Sequence, residues 1–190
     1  MKTSWIGGIV VCLGCAWLAL AGSLAAEDKP AAGKSKVAVK IASWEETLKL
    51  VAAHKGKVVV LDAWSTSCEP CKKEFPHLVE MHRKYGGKDV VCMSLACDYA
   101  GIKSKPPEFY RERVEKFLVK QEAEFQNLLS SDASDELFEK MQLSSIPAVY
   151  VFGRDGKLAK RFDNEQAQSE ADNFTYQDVA KLVTELVAKK

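Results

Sequence analysis

The run VVVLDAWSTSCEPCKKEFPHL, Val58 to Leu78, limits the folds open to this chain, because its pattern changes midway from strand to helix. Val58, Val59, Val60 and Leu61 form an apolar, largely β-branched run without polar alternation, the pattern of a strand covered on both faces of a parallel sheet. The strand is expected to end near Trp64. From Cys68 onward Phe75, Leu78, Val79 and His82 recur at helical spacing, with Glu69 in the first turn and Pro70 where a missing N–H does no harm. Cys68 therefore opens a helix at the end of a buried strand, which places the chain in the α/β class.

Residues three apart in a helix share a face, with Cβ atoms about 5–6 Å apart, a gap that a first turn closes easily, so Cys68 and Cys71 can bridge. Unpaired N–H groups and the partial positive charge of the helix N-terminus favour a thiolate at Cys68. That makes Cys68 the nucleophile and Cys71, one turn deeper, the resolving thiol. Glu69 beside Cys68 is expected to oppose the thiolate and to make the pair reducing.

The segment WSTSCEPCK after an apolar strand resembles the active site of thioredoxin-fold oxidoreductases, and CEPCKKEFP, Cys68 to Pro76, resembles that of the exported TlpA/ResA-like thioredoxins. Ser67 departs from the family, which usually has a second tryptophan there. The resemblance implies a thioredoxin fold: a central mixed sheet flanked by helices, with a helix–strand–helix insertion before the strand that follows a cis Pro147. It also implies protein disulfides or dithiols as substrates, a membrane thiol carrier as electron donor, and a role in cytochrome c maturation. Trp64, Glu69, Pro70, Ile146 and Pro147 are expected around the substrate, with Trp64 packing beneath the disulfide.

Residues 1–25 read as a signal peptide: Lys2, an apolar stretch from Ile6 to Leu20, and the small residues of AGSLAA, with cleavage after Ala25. An uncut segment would be a membrane anchor, although the stretch is short against the ~20 apolar residues of a span. Cys12 and Cys15 share the C-x-x-C spacing by coincidence, and lipidation at Cys15 is disfavoured because Cys12 stands where an aliphatic residue is wanted. Residues 26–36, rich in Ala, Lys, Gly and Pro, read as a flexible linker, and 37–190 as one thioredoxin-like domain. Without Lys2 the 27 basic residues become 26, against 26 acidic, so no excess charge points to nucleic acid. A monomer is expected.

Within the domain, KVAVKIA is a candidate edge strand, and Ser43 with Glu46 forms a capping box for a helix running to His54. DVVCMSLACD is a second parallel strand whose Cys92 and Cys97 face opposite ways and cannot bridge each other. Pro106–Pro107 starts a helix with Phe109, Val114, Phe117 and Leu118 as its apolar face; FQNLLSSD is a strand, and another helix begins near Ser134. Asp155–Gly156 turns a hairpin between AVYVF and KLAKRF. Thr175 caps the last helix, which carries Val179, Leu182, Val183 and Val187 on one face.

A lone C-x-x-C is also half of a zinc site, but Cys92 and Cys97 have the wrong spacing for the other half and the three histidines are scattered. A peroxidase would need a proline where Leu61 stands, and Cys71 so close behind Cys68 favours a dithiol. A copper(I)-binding module using both sulfurs is the alternative of a different class. For the resolving proton the candidates are Asp62, at the end of the apolar run, and Glu74, one turn after Cys71. No cofactor beyond the redox-active Cys68–Cys71 pair is expected.

Overall fold

The computed structural model describes residues 1–3 and 36–189. Residues 4–25 of the expected signal peptide, with its cleavage site, lie outside the described residues, as does the linker except for Lys36. Among the described residues no helix is long and apolar enough to cross a membrane.

The chain from Lys36 onward runs β1 (Val39–Ala42), α1 (Trp44–Ala53), β2 (Val58–Trp64), α2 (Glu69–Tyr85), β3 (Val90–Ala96), α3 (Pro107–Lys120), β4 (Gln126–Ser130), α4 (Ser134–Met141), β5 (Ala148–Phe152), β6 (Leu158–Phe162) and α5 (Tyr176–Ala188). These strands form one mixed sheet in the order β1-β4-β3-β2-β5-β6. β2 pairs in parallel with β3 and antiparallel with β5, so all seven of its residues are buried. The unbroken apolar run is what this central position requires. The last four residues of KVAVKIA form the edge strand β1, and the helix–strand–helix insertion is α3, β4 and α4, ahead of β5.

Alternation along β2 divides the core. Val58, Val60 and Trp64 face α2, α3 and α5, where Phe75, Leu78, Val114, Leu118, Val179 and Val183 meet them. Val59, Leu61 and Ala63 face the other way, toward Trp44 and Val51 of α1 and Leu137 and Met141 of α4. Each fully buried side chain of this size contributes roughly 1.5–3 kcal/mol, and Trp64, Phe75 and Phe117 pack ring to ring at 4.6–5.2 Å under the end of β2.

The caps form as read. Ser43 and Glu46 make a capping box, His54 is the C-cap of α1, and Thr175 with Asp178 makes a second box at α5. Gly156, at φ +79°, occupies the left-handed region in the β5–β6 turn. Phe109 corrects the sequence reading: it is 57% exposed, and Tyr110, Val114 and Leu118 form the inward stripe of α3. Tyr110, Val114 and Leu118 are four apart and lie nearly in line, whereas Phe109 is turned about 100° from Tyr110.

Candidate active site

Strand β2 ends at Trp64, and the turn Ser65–Ser67 delivers Cys68 to the N-cap of α2. Cys68 and Cys71 are joined in a disulfide, with Cα atoms 5.3 Å apart. The Cys71 N–H donates to Cys68 Sγ at 3.2 Å, so the sulfur takes the place of an oxygen cap on an otherwise unpaired N–H. That donor and the helix dipole would stabilise a Cys68 thiolate in the reduced protein. Cys68 is partly exposed, whereas Cys71 is 2% exposed within the cluster containing Trp64 and Phe75.

The peptide bond between Ile146 and Pro147 is cis, and the Ile146 carbonyl oxygen lies 3.8 Å from Cys68 Sγ. Both residues are partly exposed beside the disulfide, as are the more open Glu69 and Pro70. Trp64 differs from the expectation that it lines a substrate site. It is wholly buried, so its part is to pack beneath the disulfide. Glu69 is exposed, and its carboxylate accepts from Lys72 Nζ at 2.5 Å, so a cation stands beside the charge expected to oppose a Cys68 thiolate.

Asp62 is buried at 3% exposure, on the same face of β2 as Trp64 and toward α2 and α5. Burial pushes its carboxyl up to about 7; the Tyr176 hydroxyl, which donates to Asp62 Oδ2, works against the rise, and the Glu74 carboxylate adds to it. A buried acid poised near neutrality can take up or release a proton at working pH. Glu74 stands partly exposed on α2, 3.8 Å from His77 Nε2.

Cys92 and Cys97 belong to opposite core clusters, so they do not meet. Burial, and then the neighbouring Asp62, pushes the Cys92 thiol up to about 12; burial, and then Asp98, raises Cys97 further. Both remain neutral thiols at neutral pH and are poor nucleophiles.

Two participants, Tyr176 and Asp98, were missed in the sequence. Tyr176 opens α5 and reaches Asp62 across 114 positions, which no local pattern signals. Asp98 follows β3 and accepts from the Thr66 N–H at 3.1 Å, from the Thr66 hydroxyl, and from Arg113 at 2.8 Å, tying the active-site turn to α3. Its place just beyond a parallel strand was the available signal, since such edges carry functional residues.

Residues 34–161 match the profile of the AhpC/TSA family, a span covering most of the chain. This chain belongs to the AhpC/TSA family. Within that AhpC/TSA frame, Leu61 is a buried β2 residue where a peroxidase would need proline, and Cys71 is bonded to Cys68. A similar relative is the "Thiol-disulfide oxidoreductase ResA" of Bacillus thuringiensis subsp. konkukian, 25% identical over 166 residues that cover 87% of this chain and 89% of the relative. Similar solved structures include a thiol-disulfide isomerase from Corynebacterium glutamicum, with TM-score 0.59, 15% identity, and coverage of 73% of this chain and 86% of that one. Another is a secreted Mycobacterium tuberculosis disulfide oxidoreductase homologous to E. coli DsbE, with TM-score 0.52, 21% identity, and coverage of 71% and 86%. The fold is the thioredoxin fold, and the enzyme class on which the disulfide and the ResA relatives agree is thiol–disulfide oxidoreductase.

Proposed function

We propose that the protein is an exported, monomeric reductant of protein disulfides that works through Cys68 and Cys71 without a further cofactor. The observation that carries this reading is the unequal exposure of two bonded sulfurs at one helix N-terminus, with Cys68 reachable and Cys71 enclosed. In the reduced enzyme the Cys68 thiolate attacks a substrate disulfide, one substrate sulfur leaves as a thiolate, and a mixed disulfide forms. Cys71 then gives up its proton and attacks Cys68 Sγ, releasing the second substrate sulfur, so two electrons pass from enzyme to substrate.

The proton from Cys71 goes to Asp62, whose carboxyl is poised near neutrality and shares its core face with Cys71. The enclosed, apolar setting of Cys71 disfavours a thiolate there, which favours the disulfide over the dithiol and makes the pair reducing. This setting acts beside Glu69 as a second local reason. The secreted relative from M. tuberculosis supports export. Electrons supplied by a membrane thiol carrier, and a place in cytochrome c maturation, follow from the resemblance to TlpA/ResA-like thioredoxins.

Equilibration with glutathione buffers, read by thiol alkylation and mass, tests the direction. The expected potential is nearer the thioredoxin value of about −270 mV than the DsbA value of about −120 mV. A potential above that of protein disulfide isomerase, about −180 mV, would reverse the proposed direction.

A further inference from the structure

Two cavities flank the Ile146–Pro147 step beside Cys68, and they differ in charge. One, of about 480 Å³, is lined by Ser67, Asp98, Lys105, Phe109, Arg113 and Ile146 among others. The Asp98 side chain has no exposed surface and is held by Thr66 and Arg113, whereas the Arg113 side chain is 48% exposed and Lys105 is exposed. The sign presented to solvent is therefore positive. The other cavity, of about 750 Å³, is lined by Glu69, Lys73, Glu74, Pro147 and Glu170 among others, three carboxylates against one ammonium. Although Glu69 reaches Lys72, its side chain remains 83% exposed.

The reactive sulfur lies beside the step that they share. Cys68 Sγ is 3.8 Å from the carbonyl oxygen of Ile146, which lines the cationic cavity, and the next residue, Pro147, lines the acidic one. The Ile146–Pro147 step beside Cys68 therefore borders both cavities. On the cationic side the exposed Phe109 ring, with Lys105 Nζ 5.3 Å from its centroid, adds apolar surface for the stem of the incoming side chain.

We propose that this cleft selects extended protein segments whose reactive cysteine has an acidic residue on one side and a basic residue on the other. The acidic flank meets Lys105 and Arg113, and the basic flank meets Glu69, Glu74 and Glu170. The proposal rests on the oxidoreductase reading above and narrows the substrate of that same site. Charges at a solvated rim act chiefly on the rate and orientation of encounter, and salt screens them.

The test uses the reduced full chain carrying Cys71→Ser and four peptides of equal length, each with one cysteine joined to thionitrobenzoate. The Cys68 thiolate attacks the peptide sulfur and forms a new disulfide; the old bond breaks, and its electron pair leaves on the coloured thionitrobenzoate thiolate. The flanks of the cysteine are Asp and Lys, Lys and Asp, two Asp, or two Lys. Release from a chain lacking both active-site cysteines is subtracted. One mixed orientation should react at least about threefold faster than either like-charged peptide at low ionic strength, and the gap should close at high salt. Lys105→Glu should erase that advantage in favour of the two-Lys peptide, and Glu170→Lys should shift it toward the two-Asp peptide. Equal rates for all four peptides, or rates indifferent to both substitutions, would overturn the charge assignment and leave the oxidoreductase reading in place. No release from any peptide would overturn both.

Discussion

Asp62→Asn should stabilise the protein above neutral pH while leaving it nearly unchanged in mild acid. The carboxyl of Asp62 titrates at about 7 in the folded protein against 3.8 when unperturbed, because burial disfavours its charge. Between those values the folded state holds a proton that the unfolded chain has released, so stability falls as pH rises. Protonated Asp62 is therefore fully tolerated below the unfolded value, and the loss is complete once pH exceeds the folded value. The gap of about three units, at 1.36 kcal/mol each, amounts to on the order of 4 kcal/mol between pH ~4 and pH ~8. Asparagine has no charge to bury, keeps nearly the same volume, and retains an oxygen that can accept from Tyr176. Urea unfolding of the oxidised wild type and Asp62→Asn across that pH range measures the difference directly. The curves should nearly coincide in acid and separate progressively toward pH ~8. If they run parallel at every pH, the carboxyl is not titrating in that window and its proposed part in resolution fails with it.

Cys71→Ser should accumulate a mixed disulfide on Cys68, because the resolving thiol is gone while the exposed nucleophile remains; non-reducing mass spectrometry that found the adduct on Cys92 or Cys97 would refute the assignment. Tyr176→Phe removes a hydrogen bond to the charged form of Asp62, so the pH profile of resolution should move about one unit to the alkaline side, and an unmoved profile would confine Tyr176 to packing. Asp62→Asn should slow resolution at neutral pH and leave formation of the first adduct intact, whereas Glu74→Gln should have the smaller effect. Rapid-mixing kinetics with the opposite ranking would transfer the proton to Glu74.

Secondary structure and the reactive pair were legible because they are local. The run Val58–Leu61, the cysteines at the start of a helical pattern, and the boxes at Ser43 and Thr175 depend on residues within one or two turns of each other. The elements α3, β4 and α4 were legible from their own patterns, but that they form an insertion, and that the bond before Pro147 is cis, were legible only through resemblance. Phe109 was misplaced because adjacent residues on a helix point about 100° apart, and composition alone does not say which of Phe109 and Tyr110 faces the sheet.

Local pattern alone specifies the α/β class and the pairing of Cys68 with Cys71, both consequences of hydrophobic period and helix-end chemistry. The surroundings of that pair come from packing across the fold. Tyr176 meets Asp62, and Arg113 with Asp98 holds the active-site turn, because the sheet order brings α5 and α3 over the ends of β2 and β3. Such contacts have no sequence period: they depend on which layers pack together, and a side chain's charge and burial follow from neighbours that the chain supplies from far away.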